Sequence, residues 1–356
     1  MRIVHVIGCG PAGAIAAINA CTKHEVIMSE EHLMAGLPTN CSGIFSKEGL
    51  ESFSDLFDYR QFIKNEIHGA RIDFAGQEVF VKKNTAVGFI CDRAKIDQRL
   101  AQVAEERGVR IEYGKKISTN YYSDNIIGAD GPLSTVAQNF NFPKIKKFAL
   151  TMQKEIRYKQ ENTDDKKIVE MFFSNEKFPG FFAWIIPRDE ETAEFGAGTV
   201  LPNNARKAWD NLLKLKNIPE QQGMKAALIP LETRKITGRK IGKRNVILVG
   251  DAAGQTKSTT GGGVIFGGRC AGIAGKNADN PLKYELEWRA KYGMDFFLHK
   301  KIHDYLEKKS DKQIGELGKK LKKMDFDSFL SKDGHMDLPT RMIRPNLLLH
   351  LIKGII

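Results

Sequence analysis

The feature that most constrains this chain lies within its first thirty residues. An apolar run, Ile3–Ile7, meets a glycine turn, Gly8-Cys9-Gly10-Pro11-Ala12-Gly13, and an Ala/Ile-rich stretch follows from Ala14 to Thr22. The run is apolar enough for a buried parallel strand, the stretch after the turn reads as a helix, and Glu25–Ser29 reads as a second strand. Together they make a βαβ unit. Each glycine has a task there. Gly8 allows the tight turn, Gly10 lets backbone approach a pyrophosphate, and Gly13 lets helix and strand pack closely. The helix after the turn offers the free N–H groups of its N-terminus to the phosphates. Glu30 ends the second strand, 22 residues after Gly8, where a carboxylate meets the adenosine ribose. The unit predicts a dinucleotide site but does not separate NAD from FAD.

Further along, ARIDFAGQEVF from Ala70 to Phe80 reads as a hairpin turning at Gly76, and Arg93–Gly108 as a helix stopped by its glycine. Val109–Tyr113 and Asn125–Ala129 are short strands. From about residue 146 the pattern changes to strand-like runs, FALTMQKEIRY, KIVEMFF, FFAWIIP and EFGAGTV, then a helix Ala205–Leu215. This predicts a mostly antiparallel sheet inserted into the first domain. Asn245–Val249 returns to a buried strand, followed by a helix Gly263–Gly275, and the last seventy residues are helical and basic.

The 356 residues suit two packed domains, and 42% hydrophobic with 28% charged residues is ordinary for a folded protein. The net charge of +12 raises nucleic acid, an anionic membrane or an acidic small molecule as partners. The lysine runs, such as Lys144–Lys147 and Lys319–Lys323, lack interleaved aromatics, so they read as solvated faces and not as a nucleic-acid surface. Cys9, Cys21, Cys41, Cys91 and Cys270 form no metal-binding spacing, and no metal is expected. An odd cysteine count and an N-terminus running straight into a strand point to the cytoplasm. No apolar run reaches the length of a membrane span. Of the histidines, His5 reads as a core residue, while His24, His299 and His303 fall on helix or surface patterns.

Two later segments choose between the dinucleotides. Ile127-Gly-Ala-Asp130-Gly131 ends a strand, and Val246–Val249 runs into Gly250-Asp251-Ala-Ala-Gly254. Each places a carboxylate where the chain can approach a ribityl or pyrophosphate group. A GxGxxG, a DG and a GD in this order resemble the large flavoprotein superfamily related to aromatic hydroxylases, which implies FAD. Cys91-Asp92-Arg93 before a helix resembles the arginine such proteins place near the dinucleotide.

Pro179-Gly-Phe-Phe182-Ala-Trp184-Ile-Ile186-Pro187, followed by Gly196-Ala-Gly198, narrows the resemblance. It is similar to the geranylgeranyl reductase signature PxxYxWxFP with GxG seven or eight residues on, departing at Phe182 and Ile186. Rigid aromatic surface suits an apolar tunnel wall, and glycines let a chain pass close. Phe182, Trp184, Pro187, Gly196 and Gly198 are therefore the expected substrate contacts. Asn40-Cys41-Ser42-Gly43 resembles that family's cysteine loop beside the flavin, and Gly261-Gly262-Gly263-Val264 its glycine-rich helix start. The resemblance implies FAD on Gly8, Gly10, Pro11, Ala12, Gly13, Glu30, Cys41, Ser42, Gly43, Arg93, Asp130, Gly131, Gly250, Asp251, Gly262, Gly263 and Val264. Cys41 and Trp184 are the expected catalytic residues, Cys41 as a proton donor or a gate.

The implied fold is α/β. A Rossmann-like FAD-binding domain of the aromatic-hydroxylase type is expected over 1–68, 85–145 and 241–285, with a β-hairpin at 69–84. The inserted substrate domain is expected over 146–240 and a helical region over 286–356. The implied activity is reduction of geranylgeranyl C=C bonds, on a diether glycerophospholipid precursor or geranylgeranyl diphosphate, with NAD(P)H or ferredoxin as electron donor. A flavin monooxygenase and a redox-inactive prenyl carrier are the alternatives. The C-terminal run Arg341–Ile356 mixes cations with apolar residues and is expected either to lie on a membrane or to dock on the core.

Overall fold

The computed structural model describes residues 2–158 and 165–342. Strand Ile3–Ile7 lies between parallel neighbours, Glu25–Ser29 on one side and Asn125–Gly128 on the other. Its burial on both faces explains why it does not alternate. The full order is Gly238–Ile241, Arg244–Leu248, Asn125–Gly128, Ile3–Ile7, Glu25–Ser29, Arg110–Glu112. Only the pair Gly238–Ile241 with Arg244–Leu248 is antiparallel. Helices Pro11–Ala20, Arg93–Glu106 and Val264–Lys276 bury their apolar residues in one core. The first helix begins three residues before the sequence pattern implied, because proline's fixed φ suits the first helical position.

The second sheet runs Lys225–Pro230, Phe148–Arg157, Thr192–Val200, Ala183–Pro187, Ile168–Phe173, Gly69–Phe74, Glu78–Lys82. It is antiparallel except where Ile168–Phe173 pairs in parallel with Gly69–Phe74, the first arm of the hairpin. Period-two alternation divides the segment FFAWIIP between two cores. Ala183 and Ile185 pack with Phe195 and Trp209 under the helix Ala205–Leu215. Phe182, Trp184 and Ile186 pack on the other face with Ile67, Ile90 and Leu231. A small third sheet, Ile44–Ser46, Gly88–Cys91 and Ile63–Ile67, adjoins that face.

Three helices follow, Pro281–Glu307, Asp311–Lys323 and Phe326–Asp333. Lys319, Lys320, Lys322 and Lys323 are exposed, in keeping with a solvated face. His299 and His303 lie on the long helix, and both are buried, as is His24, which is not a surface residue. The long helix carries apolar residues all round, so no periodicity marked the face on which His299 and His303 lie. The chain then docks back. Asp337 is buried, its carboxylate accepting from Ser46 Oγ and, at 2.8 Å, from Lys257 Nζ. Thr340 Oγ1 donates to Asp295 at 2.7 Å. The expected membrane tail lies, beyond Met342, outside the described residues. No helix among the described residues is long and apolar enough to cross a membrane.

Candidate functional site

The first glycine turn is built by close approach. Gly8 has φ +99°, and a Cβ there would lie 2.5 Å from the Ala129 carbonyl oxygen. A Cβ on Gly13 would lie 1.9 Å from the Gly8 carbonyl oxygen, so the helix can seat only on glycine. Gly10 differs: a Cβ there would meet nothing within 4 Å. Open space therefore faces the turn where a ligand's phosphates would need it. Glu30 stands beside it, one oxygen accepting from the Cys9 N–H at 2.8 Å and the other from the His32 N–H at 2.9 Å.

The DG and GD carboxylates are used differently. Asp130 accepts from Ser134 Oγ at 2.6 Å and from the Val136 N–H at 3.0 Å, so it serves its own turn. What it presents outward is Gly131, φ +76°, with open space beyond. Gly250 lies where the two helices meet: a Cβ on it would come within 2.9 Å of Ala12 Cβ, and one on Gly267 within 3.0 Å of Gly250 Cα. Asp251 reaches the start of helix Val264–Lys276, 2.9 Å from where a Gly263 Cβ would be. No side chain caps this helix at Gly263. Its first N–H groups, with the positive end of the helix dipole, are left for an anionic ligand.

Cys41, Arg93 and Asp251 converge from three separate segments. The Cys91 N–H donates to the Gly43 carbonyl at 2.8 Å, and a Gly43 Cβ would lie 2.4 Å from the Cys91 oxygen. That pairing holds the cysteine loop in register with Asp92 and Arg93. Arg93 donates twice to Asp97, at 2.7 and 2.9 Å. Burial opposes its charge, but Asp97 and Cys41 outweigh burial and push its pKa up. Burial raises Asp251 to about 6, against the pull of Arg93. Burial also pushes up the thiols of Cys9, Cys91 and Cys270, which leaves them unreactive. Asp97 escaped the sequence reading. Its position four residues after Arg93 on a helix was the available signal.

The apolar face of the second sheet closes over this region. The rings of Phe173, Phe181 and Trp184 surround Phe182 with centroids 4.5–5.5 Å away. Phe182, where the motif has tyrosine, presents no hydroxyl to the small cavity it lines with Thr259 and His303. Gly196 and Gly198 give their space to neighbours within the chain: Cβ atoms would meet Trp184 Cε2 at 2.1 Å and Phe181 Cδ1 at 2.6 Å. The expected passage for a chain beside these glycines is thus filled by the aromatic wall itself. A Gly261 Cβ would touch Ile229 and Phe181, so the loop before the uncapped helix abuts the same wall. Trp184 Nε1 donates to Glu194 at 3.4 Å, and Glu194 accepts from Arg188 Nη2 at 2.5 Å. Pro187 ends the strand, its carbonyl accepting from Asn65 at 3.2 Å. A narrow cavity of about 20 Å³ lies between Phe181, Phe182, Thr259, His303 and Leu306. His303, Asp304 and Glu307 cluster beside it, but Lys147 Nζ, 2.6 Å from Glu307 and 3.2 Å from Asp304, already supplies the cation.

No family model matches the chain. The digeranylgeranylglycerophospholipid reductase of Methanocaldococcus jannaschii is 28% identical to it over 374 residues, covering 92% of this chain and 94% of that protein. Digeranylgeranylglycerophospholipid reductase 2 of Methanosphaera stadtmanae is 26% identical over 364 residues, covering 90% and 92%. Among solved structures, a geranylgeranyl bacteriochlorophyll reductase-like protein from Thermoplasma acidophilum aligns with a TM-score of 0.77 at 19% identity, covering 100% of this chain and 99% of its own. A flavin-dependent brominase aligns at 0.69 and 15% identity, covering 99% and 98%. These two structural likenesses show the α/β fold. Over about nine-tenths of its length, the chain is similar to these two digeranylgeranylglycerophospholipid reductases.

Proposed function

We propose that the protein is an FAD-dependent reductase of isoprenoid C=C bonds in geranylgeranyl chains, acting on archaeal-type diether glycerophospholipid precursors. The observation that carries this reading is the meeting of two surfaces. One is a phosphate-ready cradle, made by open Gly10 and the uncapped Val264 helix. The other is an aromatic wall with Phe182 and Trp184, and Cys41 and Arg93 stand on the cradle side of their boundary.

The residues present fit FAD. Gly8, Gly10, Pro11, Ala12 and Gly13 would hold the pyrophosphate, Glu30 the adenosine ribose, and Arg93, Gly131, Gly250 and Asp251 the ribityl-phosphate stretch. Ser42, Gly43, Gly262, Gly263 and Val264 would border the ring. FAD, when bound, supplies the hydride for alkene reduction. The chain supplies everything else. The wall around Phe182 and Trp184 orients the prenyl chain and excludes water. Cys41 Sγ–H delivers the proton to the second alkene carbon, and Arg93 balances the charge left on sulfur. NAD(P)H or ferredoxin would serve as the electron donor, and the lipid would be drawn from a membrane by peripheral contact.

Anaerobic incubation of the purified protein with dithionite and a geranylgeranyl glycerolipid tests the proposal. Product masses should rise in steps of two hydrogens. Oxygen-dependent NADPH consumption with every alkene intact would instead mark a monooxygenase.

A further inference from the structure

Helix Pro281–Glu307 is packed on one side and bare on the other. Tyr284, Trp288, Phe296, His299 and His303 are buried. Leu282, Leu286, Met294 and Phe297 are 66, 63, 59 and 53% exposed. At 100° per residue these four fall within about 120° of arc, spread over roughly 22 Å of helix. Large apolar side chains aligned in this way are unusual on the free surface of a monomer. Lys283 and Lys301 fall in the same arc, Lys291 flanks it, and all three are exposed. Lys301 Nζ sits 5.3 Å from the Phe297 ring centroid. Asp304, also in the arc, is neutralised by Lys147 and Lys300, and Glu287 lies at its edge, 3.8 Å from Lys283.

We propose that this stripe is a membrane-docking surface that lays the helix in the plane of an anionic lipid bilayer. Leu282, Leu286, Met294 and Phe297 enter the acyl boundary, and Lys283, Lys291 and Lys301 meet lipid phosphates. The charge pattern chooses this occupant over a second copy. A two-fold dimer through the stripe would bring lysine against lysine with no acidic row to answer them. The opposite side of the same helix fits the purpose. His303, Leu306 and Glu307 line the cavity against Phe181 and Phe182, so the helix lies between the bilayer and the aromatic wall. The purpose, though not the geometry, rests on the reading of the substrate as a membrane lipid.

Co-sedimentation with phosphatidylglycerol and phosphatidylcholine vesicles tests the surface. The full chain should bind phosphatidylglycerol vesicles, more weakly as salt rises, and phosphatidylcholine vesicles at least tenfold less. Leu286→Asp with Phe297→Asp replaces exposed side chains, so the thermal melt should hold while vesicle binding falls at least tenfold. Lys283→Glu with Lys301→Glu should flatten the salt dependence. Wild-type binding by the Asp pair overturns the proposal. So does a solution dimer that the Asp pair breaks, or vesicle binding lost only on removal of residues 343–356. Binding needs no turnover, so a protein that binds vesicles but reduces no prenyl lipid refutes the enzymatic reading and leaves the surface standing. Reduction of detergent-dispersed lipid alongside undiminished binding by the Asp pair does the reverse.

Discussion

The indole of Trp184 occupies the space where Gly196 has no side chain; a Cβ there would come within 2.1 Å of Cε2. The two residues are paired across adjacent strands, so the glycine and the tryptophan form one packing unit. Gly196→Ala should destabilise the protein by about 1–3 kcal/mol, the usual range for overpacking. In a Trp184→Ala background the same change should cost almost nothing, because the clashing ring is gone. Urea unfolding of the four proteins measures the coupling. Additive costs would mean that the indole is not held where Gly196 leaves room.

Gly10 and Gly13 belong to one motif but should fail in different ways. Gly10→Val projects into open space, so the variant should fold and melt like the parent while losing the yellow colour of bound flavin. Gly13→Val meets the Gly8 carbonyl at 1.9 Å and should fail to fold. Visible absorbance with far-UV circular dichroism separates the two outcomes. Stoichiometric flavin in Gly10→Val would sink the cofactor assignment.

The sequence made legible what repeats a local rule. Glu25–Ser29 and Ala205–Leu215 end where propensity and capping end them, and Asn204 caps the helix through its side chain. The turn at Gly76 and the stop at Gly108 both have positive φ, which glycine tolerates. Relations between distant segments were not legible. Nothing near Asp251 shows that its carboxylate reaches Gly263, at the start of the helix Val264–Lys276. Glu194 and Arg188 flank Trp184 only once the strands pair. His299 bonds Thr259 at 2.7 Å and the Asp337 carbonyl at 3.0 Å, joining segments far apart in the chain. The purpose assigned to Gly196 and Gly198 was misread for the same reason: a glycine announces a close approach but not what approaches.

Asp251 gives a test by pH. Burial raises its pKa from 3.8 to about 6, so the folded chain holds this proton more tightly than the unfolded chain does. Ionising it therefore costs stability. The cost is absent below about pH 3.8, grows between there and pH 6, and is complete above. Roughly two units correspond to about 3 kcal/mol. Flavin-free Asp251→Asn should therefore be more stable than the parent at pH 8, with the gap closing as pH falls toward 4. Urea midpoints across that range check the sign. A gap that does not vary with pH would contradict the burial of a titrating carboxyl there.

Cys41 gives the most direct test of the proposed chemistry. Its loop is tied to the third sheet through backbone, Gly43 to Cys91, and keeps that anchor when the thiol, which accepts from the Gly43 N–H at 3.4 Å, is changed. Cys41→Ala should retain full flavin and an unchanged melting temperature. Lipid turnover should fall about 100-fold, the lower end of what a positioned general acid contributes. Cys41→Ser, which keeps a proton on the side-chain atom, should recover part of that loss. A gate would respond otherwise, since alanine would open access and serine would restore the block, making Cys41→Ala the faster variant. Single-turnover reduction of a geranylgeranyl lipid by pre-reduced protein separates the two roles. Unchanged turnover in both variants would remove Cys41 from the mechanism and leave solvent, admitted past the aromatic wall, as the proton source.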